Sequence, residues 1–493
     1  MRAQAALRQF ARSAALLLCL ALASATACIG AAPVDAAQAQ PPAATRTVQL
    51  PEGVTDNPLL NSRFLLFAPA SLRRKTLRWV QQNHRLDMAA AMIHAMRFHA
   101  PEEREALGSV LSALTGEHHD GDWFAWMLWL EAHPEVQTFA GFDLYLSDLF
   151  GNLDPVFKQF LFPRMPHRIR LEEIVWGGVG KDGIPALTNP NFIRPADARL
   201  EDAELVFGVA INGDVRAYPF RYMDWHEMVN DVVGGVPVSL AYCTLCGSGI
   251  LFDTRRQPDA QNATAAPFVF GSSGLLYRSN KLMYDEQTHS LWNQFTGEPV
   301  TGALTNAGIV LPVLPVTITS WGEWRRVHAD TRVLAHDTGY TRDYRPGAPY
   351  GRYFASSKLL FPALVRGNAT RPKAFVFVLR MTGAEHAWAL ERFEGGQVIN
   401  DRVGVVDIVL VGNAQTRTVR AYRRGAARFA RGARPARGAQ PDALVDDAGV
   451  QWAIAEDALS APDGRTLPRL PGHVAYAFAF GSYFPRPGPG PAN

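Results

Sequence analysis

The spacing of hydrophobic residues indicates that the N-terminal part of the chain is helical. Between residues 72 and 162, apolar side chains recur at intervals of three and four, which is the spacing of one helix face. Pro101 stands where a proline is tolerated at the first turn of a helix. The run 123–130 is apolar on all sides, as is typical of a buried helix. The pattern predicts an α-helical domain over residues 56–165.

After this region the pattern changes to short apolar runs separated by turn residues. Residues 205–211 predict a strand, and Asn212-Gly213 predicts the tight turn of a hairpin. Residues 220–230 predict a short helix that follows a proline. Residues 236–242 are apolar almost throughout, which predicts a strand that is buried on both faces. The expected fold class is α+β, with the helical domain first and a β-rich domain after it.

The β-rich pattern occurs twice. Residues 211–218 align with residues 381–388, and the alignment continues without a gap into the following segment. The sequence therefore predicts an internally duplicated α+β domain over residues 170–485, with copies at about 182–255 and 360–425.

Three chemically reactive residues distinguish the first copy from the second. The first copy has His226, Cys243 and Cys246, and the second has at the aligned positions Gly396, Asn413 and Thr416. Residues present in only one of two equivalent scaffolds are better candidates for function than the turn residues that both copies share.

The first 28 residues are expected to be a signal peptide. A positive segment is followed by the apolar run 14–23, which is shorter than the ~20 residues that a membrane-spanning helix needs. Residues 24–28 resemble a bacterial lipobox, in which Cys28 would be lipidated. The Ala-, Pro- and Gln-rich residues 29–55 predict a disordered tether. The expected location is the periplasm or cell envelope, with a lipid that anchors the protein to a membrane surface.

Composition and charge exclude several classes of protein. Hydrophobic residues make up 47% and charged residues 19% of the chain, which excludes wholesale disorder, collagen and coiled coil. Lys and Arg total 49 and Asp and Glu total 46, so no nucleic-acid partner is expected. Of the four cysteines, Cys19 lies in the signal peptide and Cys28 in the lipobox. Cys243 and Cys246 are therefore the remaining candidates for thiol chemistry.

Several motifs of the β-rich region together resemble a prokaryotic family, the domain of unknown function 3179. The motifs are Asp182-Gly-Ile-Pro-Ala-Leu, Arg216-Ala-Tyr-Pro, Trp225-His-Glu-Met-Val-Asn-Asp, Tyr242-Cys-Thr-Leu-Cys-Gly and Met283-Tyr-Asp-Glu-Gln-Thr. The resemblance covers about residues 170–485 and leaves the helical segment outside. It implies no reaction, cofactor or protein partner.

The Cys-x-x-Cys pair has three competing interpretations. With His226, Cys243 and Cys246 form a candidate site for copper or another soft metal, because thiolate and imidazole suit such ions. The same pair is a candidate for thiol–disulfide redox chemistry, in which the spacing depresses the pKa of one thiol. In a non-enzymatic cell-envelope binding or structural module, a disulfide would staple the turn. The sequence leaves all three open, and with them the question of whether the protein is an enzyme.

A second set of polar residues follows the cysteines along the chain. We expect these residues to line a polar pocket near the thiols, with surface pairing as the alternative: Arg278, Asp285, Gln287, His289 and Trp292.

Overall fold

The N-terminal region is helical, as the apolar spacing predicts. The computed structural model describes residues 54–256, 265–365, 371–432 and 443–484. The α-helices of the N-terminal region are α1 (Pro58–Phe67), α2 (Ala70–Gln82), α3 (Ala89–Met96), α4 (Pro101–Thr115), α5 (Trp123–Ala132) and α6 (Phe142–Leu153). The predicted signal peptide, its Cys28 and the predicted tether up to residue 53 lie outside the described residues.

Local capping residues determine where several of these helices begin and end. The Asn57 side chain accepts a hydrogen bond from the backbone N–H of Leu60 at the start of α1. Asp122 caps α5 in the same way, with its carboxylate on the N–H groups of the first turn. Gly116 ends α4 with a left-handed φ of 80°, which glycine adopts without strain. Polar capping residues and glycine therefore set the ends of these helices, and the apolar faces of the helices form the core.

The remainder of the described chain is rich in strands. The strands up to residue 301 are β1 (Ile174–Trp176), β2 (Leu187–Thr188), β3 (Phe192–Ile193), β4 (Leu205–Ile211), β5 (Asp214–Pro219), β6 (Met228–Val233), β7 (Val236–Cys243), β8 (Ser248–Asp253), β9 (Phe270–Tyr277), β10 (Asn280–Asp285), β11 (Leu291–Asn293) and β12 (Glu298–Thr301). The later strands are β13 (Val313–Leu314), β14 (Thr317–Ser320), β15 (Arg332–Leu334), β16 (Phe375–Met381), β17 (Ala384–Ala389), β18 (Gln397–Val403), β19 (Val406–Asn413), β20 (Thr418–Arg423), β21 (Phe429–Arg431), β22 (Ala443–Asp446), β23 (Gln451–Ile454), β24 (Ala458–Ser460), β25 (Thr466–Leu470) and β26 (Gly472–Tyr476). The helices of this region are α7 (Phe220–His226), α8 (Trp321–Val327), α9 (Gly351–Ala355) and α10 (Ala477–Tyr483).

The strands form several small, mostly antiparallel sheets. The strand orders are β1-β9-β10-β11-β12, β13-β8-β7-β6-β2, β14-β4-β5-β15-β3, β17-β16-β26 and β18-β19-β20-β25-β24-β23-β22-β21. Parallel pairing occurs between β15 and β5 and between β2 and β6. The fold class is therefore α+β, with helices first and a β-rich region after them.

The helix predicted over residues 220–230 is shorter than the sequence indicates. Helix α7 ends at His226, and Glu227 turns the chain with a left-handed φ of 54°. Met228 then begins β6, which pairs along its whole length with β7. The ladder hydrogen bonds of this hairpin replace the second half of the predicted helix.

The two aligned segments have the same order of elements. In the first, the hairpin β4–β5 is followed by α7 and the hairpin β6–β7. In the second, the hairpin β16–β17 is followed by a short 3-10 helix and the hairpin β18–β19. Each first strand also pairs antiparallel with a strand that follows its segment in the chain, β4 with β14 and β16 with β26.

Aligned polar side chains make matching hydrogen bonds in the two segments. Asp231 accepts from the Tyr218 hydroxyl at 2.7 Å, and Asp401 accepts from the indole N–H of Trp388 at 2.8 Å. The carboxylates of Asp231 and Asp401 also each accept the N–H of the next residue. These bonds hold the second hairpin of each segment against the first.

Two asparagines bridge strands in the same manner. The Asn230 carboxamide donates to the carbonyl of Phe270 and accepts from its N–H, at 2.8 and 3.0 Å. Asn400 forms the same pair of bonds with Phe429, at 2.7 and 2.8 Å. Each bridge satisfies one donor and one acceptor of a strand end that would otherwise be buried unpaired.

Shared cores join the parts of the chain. One cluster of buried apolar residues contains Phe207 and Leu240 of the first segment together with Trp388 and Leu410 of the second. Another cluster extends from the N-terminal helices to Cys243, Cys246 and β26. The cysteines therefore lie where the helical region, the first segment and the end of the second segment meet.

Candidate functional site

The two cysteines lie on a tight turn between two buried strands. Strand β7 ends at Cys243, residues Thr244–Cys246 form a 3-10 helix, and β8 begins at Ser248. Gly247 closes the turn with a φ of 58°, and a Cβ there would lie 3.1 Å from the Phe375 ring. The turn thus requires glycine both for its conformation and for the close approach of the second segment.

Both cysteines are free thiols and both are buried. The two thiols interact with each other, and Cys243 also interacts with the backbone N–H and the charge of Lys281. The Cys246 thiol donates to the carbonyl of Ser279 at 3.3 Å, and the Asn280 carboxamide donates to Cys246 at 3.4 Å. The hairpin turn between β9 and β10 therefore positions the thiol pair.

The two thiols have pKa shifts of opposite direction. Burial acts to raise the pKa of Cys243, but the adjacent Cys246 thiol and the N–H and charge of Lys281 lower it below its ordinary value. Burial and the adjacent Cys243 thiol raise the pKa of Cys246 well above its ordinary value. Cys243 is therefore the thiol that ionises first, and Cys246 holds its proton.

A buried ion pair adjoins Cys243. The Lys281 ammonium lies 3.0 Å from Glu227 Oε2, and the two side chains are 4% and 7% exposed. The other carboxylate oxygen of Glu227 accepts hydrogen bonds from the Thr244 hydroxyl at 2.6 Å and the Tyr350 hydroxyl at 3.1 Å. Three donors thus compensate the charge of Glu227 beside the thiol turn.

A segment that connects the two aligned halves covers this turn. The Tyr353 hydroxyl of α9 donates to the carbonyl of Leu245 at 2.6 Å. The indole N–H of Trp225 donates to the carbonyl of Asp343 at 2.6 Å in the same connector. With the Tyr350 bond, these contacts fasten the connector over the Cys-x-x-Cys motif, so a bulky reagent can reach the thiols only if the connector moves.

Backbone strain and unpaired polar atoms also occur around the thiols. Glu227, Arg278 and Ser279 have φ values of 54°, 50° and 59°, in the left-handed region that non-glycine residues rarely adopt. Among the described residues, the Ser279 hydroxyl and the Asn280 carboxamide oxygen are buried without a hydrogen-bond partner. Such features cluster at functional sites because the surrounding structure must hold them in place.

His226 is not brought together with the cysteines as a third ligand. Its Nδ1 lies 2.9 Å from the carbonyl of Pro185, so Nδ1 carries the proton, and Nε2 accepts from the Tyr344 hydroxyl at 2.6 Å. Burial lowers the pKa of His226 to about 4. Within the described part of the chain, no group of three or more His, Cys, Asp or Glu side chains is arranged to hold a metal ion.

Arg278, the first predicted pocket residue, lies in the turn next to Ser279. Its guanidinium donates to Glu173 at 2.6 Å and to the carbonyl of Ser482 at 2.8 Å. Arg278 therefore links the start of the β-rich region to its C-terminal helix beside the thiols.

The other predicted pocket residues lie at the far end of β10, where they close a turn. Asp285 accepts from the indole N–H of Trp292 at 2.8 Å and from the backbone N–H of Thr288 at 2.6 Å. Gln287 donates to a backbone carbonyl at 3.2 Å, and His289 has a left-handed φ of 56°. Asp285 and Trp292 are both fully buried, so their bond closes a turn in the interior, away from the thiols, and is not a pair on the surface.

Sequence reasoning missed the two charged residues closest to Cys243. Glu227 directly follows His226 in one of the motifs quoted above, and Lys281 lies in β10, whose residues are all buried. A buried lysine must have a partner, because an isolated buried ammonium is strongly unfavourable. Since β10 mixes polar and apolar residues, the sequence alone did not signal that Lys281 is buried.

Within the described residues, no helix has the length and apolar character to cross a bilayer. The predicted lipidation site, Cys28, lies outside them.

Comparisons with known proteins give one finding. A family model described as "Protein of unknown function (DUF3179)" matches residues 181–487, which confirms the resemblance inferred from the motifs. No match to the chain was found among curated proteins or among solved structures.

Proposed function

The chain belongs to the family described as "Protein of unknown function (DUF3179)", and because that description names no activity, we propose a function from the chain's own residues. Cys243 and Cys246 are a dithiol–disulfide redox pair. The observation that carries this proposal is the asymmetry of two adjacent buried thiols, in which Cys246 donates its proton to the carbonyl of Ser279 at 3.3 Å while the N–H and charge of Lys281 act to lower the pKa of Cys243. Attack on a disulfide requires one thiolate, and resolution requires a second thiol in contact.

The reaction follows from these two roles. The Cys243 thiolate attacks a disulfide of a partner molecule, forms a mixed disulfide and releases one partner thiolate. Cys246 then loses its proton and attacks the Cys243 sulfur, which releases the second partner thiolate and leaves a Cys243–Cys246 disulfide. Two electrons pass to the partner. The reverse sequence oxidises a partner dithiol.

Redox titration tests the proposal. We expect the two thiols to disappear together and reversibly as a glutathione buffer becomes more oxidising, in the range of about −300 to −120 mV that exchanging dithiols cover. The Cys246→Ser variant should accumulate a mixed disulfide with glutathione at Cys243, and the Cys243→Ser variant should not. A pair that cannot be oxidised, or that forms a disulfide resistant to dithiothreitol, would contradict redox cycling; the second outcome would favour the structural staple.

A second candidate function is soft-metal binding by the same two thiols. The specific observation is the pair of buried, adjacent thiols, because thiolates select Cu(I) and a two-coordinate site needs no imidazole. In this form of the proposal the ligands are Cys243 and Cys246, without His226. Anaerobic, reduced protein should then bind one Cu(I) per chain, measured by competition with a chromogenic chelator. The Cys243→Ser, Cys246→Ser double variant should bind none.

We propose that the protein is exported and lipid-anchored. The support is the sequence of the first 28 residues, with its basic start, short apolar run and lipobox-like end at Cys28. The Cys28→Ser variant should move from the membrane fraction to the soluble fraction of the cell envelope. An unchanged distribution and an unlipidated N-terminus by mass spectrometry would contradict the anchor.

We propose that the β-rich region arose by internal duplication. The support is the repeated order of elements, the matching bonds of Asp231 and Asp401, and the matching bridges of Asn230 and Asn400. In this proposal the thiol site is a property of one copy on a scaffold that both copies share.

A further inference from the structure

Arg417, in the turn between β19 and β20, is a cation that one aromatic ring separates from the thiol turn. Its guanidinium lies 4.1 Å from the centre of the Phe375 ring. The same ring would lie 3.1 Å from a Cβ on Gly247, the residue that follows Cys246. Arg417 is partly exposed, and with the described residues it forms no ion pair and no side-chain hydrogen bond. A cation without a paired carboxylate therefore stands beside the thiols.

The carboxyl group of Asp224, on α7, does not neutralise this cation at pH 7. Asp224 is 4% exposed, and its Oδ1 is buried without a hydrogen-bond partner among the described residues. Burial, and after it the negative charge of Glu227, raise the pKa of Asp224 to about 8, although the charge of Arg417 acts to lower it. Asp224 is therefore mostly protonated at pH 7, and Glu227 is itself paired with Lys281.

Tyr476 connects these groups to the cysteines. Its ring would lie 3.2 Å from a Cβ on Gly247, so Tyr476 packs against the thiol turn. Burial raises the pKa of Tyr476 to about 12. The positive charge of Arg417 opposes this rise, whereas a negative charge on Cys246 or Asp224 reinforces it. Because charge interactions weaken with distance, the hydroxyl of Tyr476 lies close to all three groups.

We propose that Arg417 binds a carboxylate of the partner molecule, so that the substrate class is a disulfide with a carboxylate a few bonds from its sulfur atoms. This inference rests on the redox function proposed above. A guanidinium without a carboxylate of its own can bind one through two charge-assisted hydrogen bonds. The Tyr476 hydroxyl, which forms no hydrogen bond with a described residue, supplies a further donor. Arg417 binds the partner and takes no part in the exchange of bonds at Cys243 and Cys246.

Three symmetric disulfides of nearly equal size and different charge test the proposal. They are dithiodipropionate, an anion; bis-hydroxyethyl disulfide, which is neutral; and cystamine, a cation. Each is mixed with the reduced full chain at pH 7 and low salt, and mass spectrometry after acid quenching and alkylation follows formation of the Cys243–Cys246 disulfide. Each rate is divided by the rate at which the same reagent oxidises free mercaptoethanol, which corrects for intrinsic reactivity.

We expect the anion to react about tenfold faster than the cation after this correction, with the neutral disulfide between them. The ratio of anion to cation should fall as sodium chloride is raised, since salt screens the charge of a partly exposed guanidinium.

Variants at Arg417 assign the preference to this residue. Arg417→Gln should reduce the ratio to less than twofold, Arg417→Glu should invert it, and Arg417→Lys, which keeps the charge, should retain most of it. The control Arg423→Gln removes an exposed arginine at the end of β20 and should leave the ratio within twofold of wild type. The neutral disulfide shows whether the thiols of each variant still react, and circular dichroism checks folding.

The outcomes separate this inference from the redox function on which it rests. If all three disulfides oxidise the wild-type pair at equal corrected rates, or if Arg417→Gln keeps the preference for the anion, carboxylate binding by Arg417 is refuted while the redox function stands. If none of the three oxidises the pair, although each oxidises mercaptoethanol, the redox function itself is refuted and the inference with it.

Discussion

Replacing Lys281 by methionine tests how strongly the fold depends on the ion pair beside the thiols. The Lys281 ammonium lies 3.0 Å from Glu227, and both side chains are almost fully buried. Methionine has a similar length and no charge, so the variant leaves the Glu227 carboxylate buried with only the hydroxyls of Thr244 and Tyr350 as partners. Breaking one side of a buried pair costs about 3–5 kcal/mol of the free energy of unfolding.

The double variant Lys281→Met, Glu227→Gln separates the charge from the packing. It removes both charges and keeps side chains of similar size, so we expect it to recover all but about 1 kcal/mol of the lost stability. The control Arg371→Met breaks the pair with Glu391, whose side chains are 66% and 52% exposed, and should cost at most about 1 kcal/mol. Urea unfolding under reducing conditions, followed by tryptophan fluorescence, measures all three variants.

Two results would refute this reasoning. The first is a single Lys281→Met variant within about 1 kcal/mol of wild type, which would mean that the Glu227 charge is not confined as the contacts indicate. The second is a double variant less stable than the single one, which would mean that the hydroxyls of Thr244 and Tyr350 stabilise the Glu227 carboxylate without Lys281.

Three other predictions concern the connector over the thiols, the helical region and the second segment. Tyr353→Phe removes the hydrogen bond to the carbonyl of Leu245, which is worth about 1 kcal/mol. Iodoacetamide should therefore alkylate the thiols about fivefold faster in this variant. An unchanged rate would mean that α9 does not limit access to the thiols. Burial lowers the pKa of His94 from 6.5 to about 4. Because the unfolded state binds the proton more tightly, the free energy of unfolding falls as the pH drops from 6.5 towards 4, by about 2 kcal/mol at pH 5. A His94→Gln variant should lose that part of the pH dependence of the urea midpoint. Asn400→Ala leaves a donor and an acceptor of Phe429 unpaired and should lower the free energy of unfolding by about 1–3 kcal/mol in the same titration.

Elements defined by local signals could be predicted from the sequence. Strand β4 has the predicted bounds 205–211, because apolar residues and the Asn212-Gly213 turn act over a few neighbouring positions. The helix after Pro219 was predicted too long, since its end depends on distant contacts. Pairing of β6 with β7 and the ion pair of Glu227 with Lys281 decide that boundary.

The candidate site was predicted only in part for the same reason. The cysteines are a recognisable motif, but their neighbours come from separate parts of the chain. The comparison of the two copies suggested His226, whereas the fold places the adjacent Glu227 next to the thiol turn and directs His226 to Pro185 and Tyr344. The left-handed backbone conformation of Glu227 directs the two side chains to different places. The spacing of hydrophobic residues does not reveal such a conformation.

The burial of the thiols has a consequence for the newly made chain. Tyr353, whose hydroxyl holds the connector over the thiols, follows Cys246 by about a hundred residues. At roughly 5–20 residues per second, synthesis alone leaves the two thiols uncovered for about 5–20 s. Helix α10, which packs on the same core, is made later still. During biogenesis the thiols therefore meet their surroundings as an open, flexible pair. Oxidants and metal ions have their easiest access to the site before the protein has finished folding.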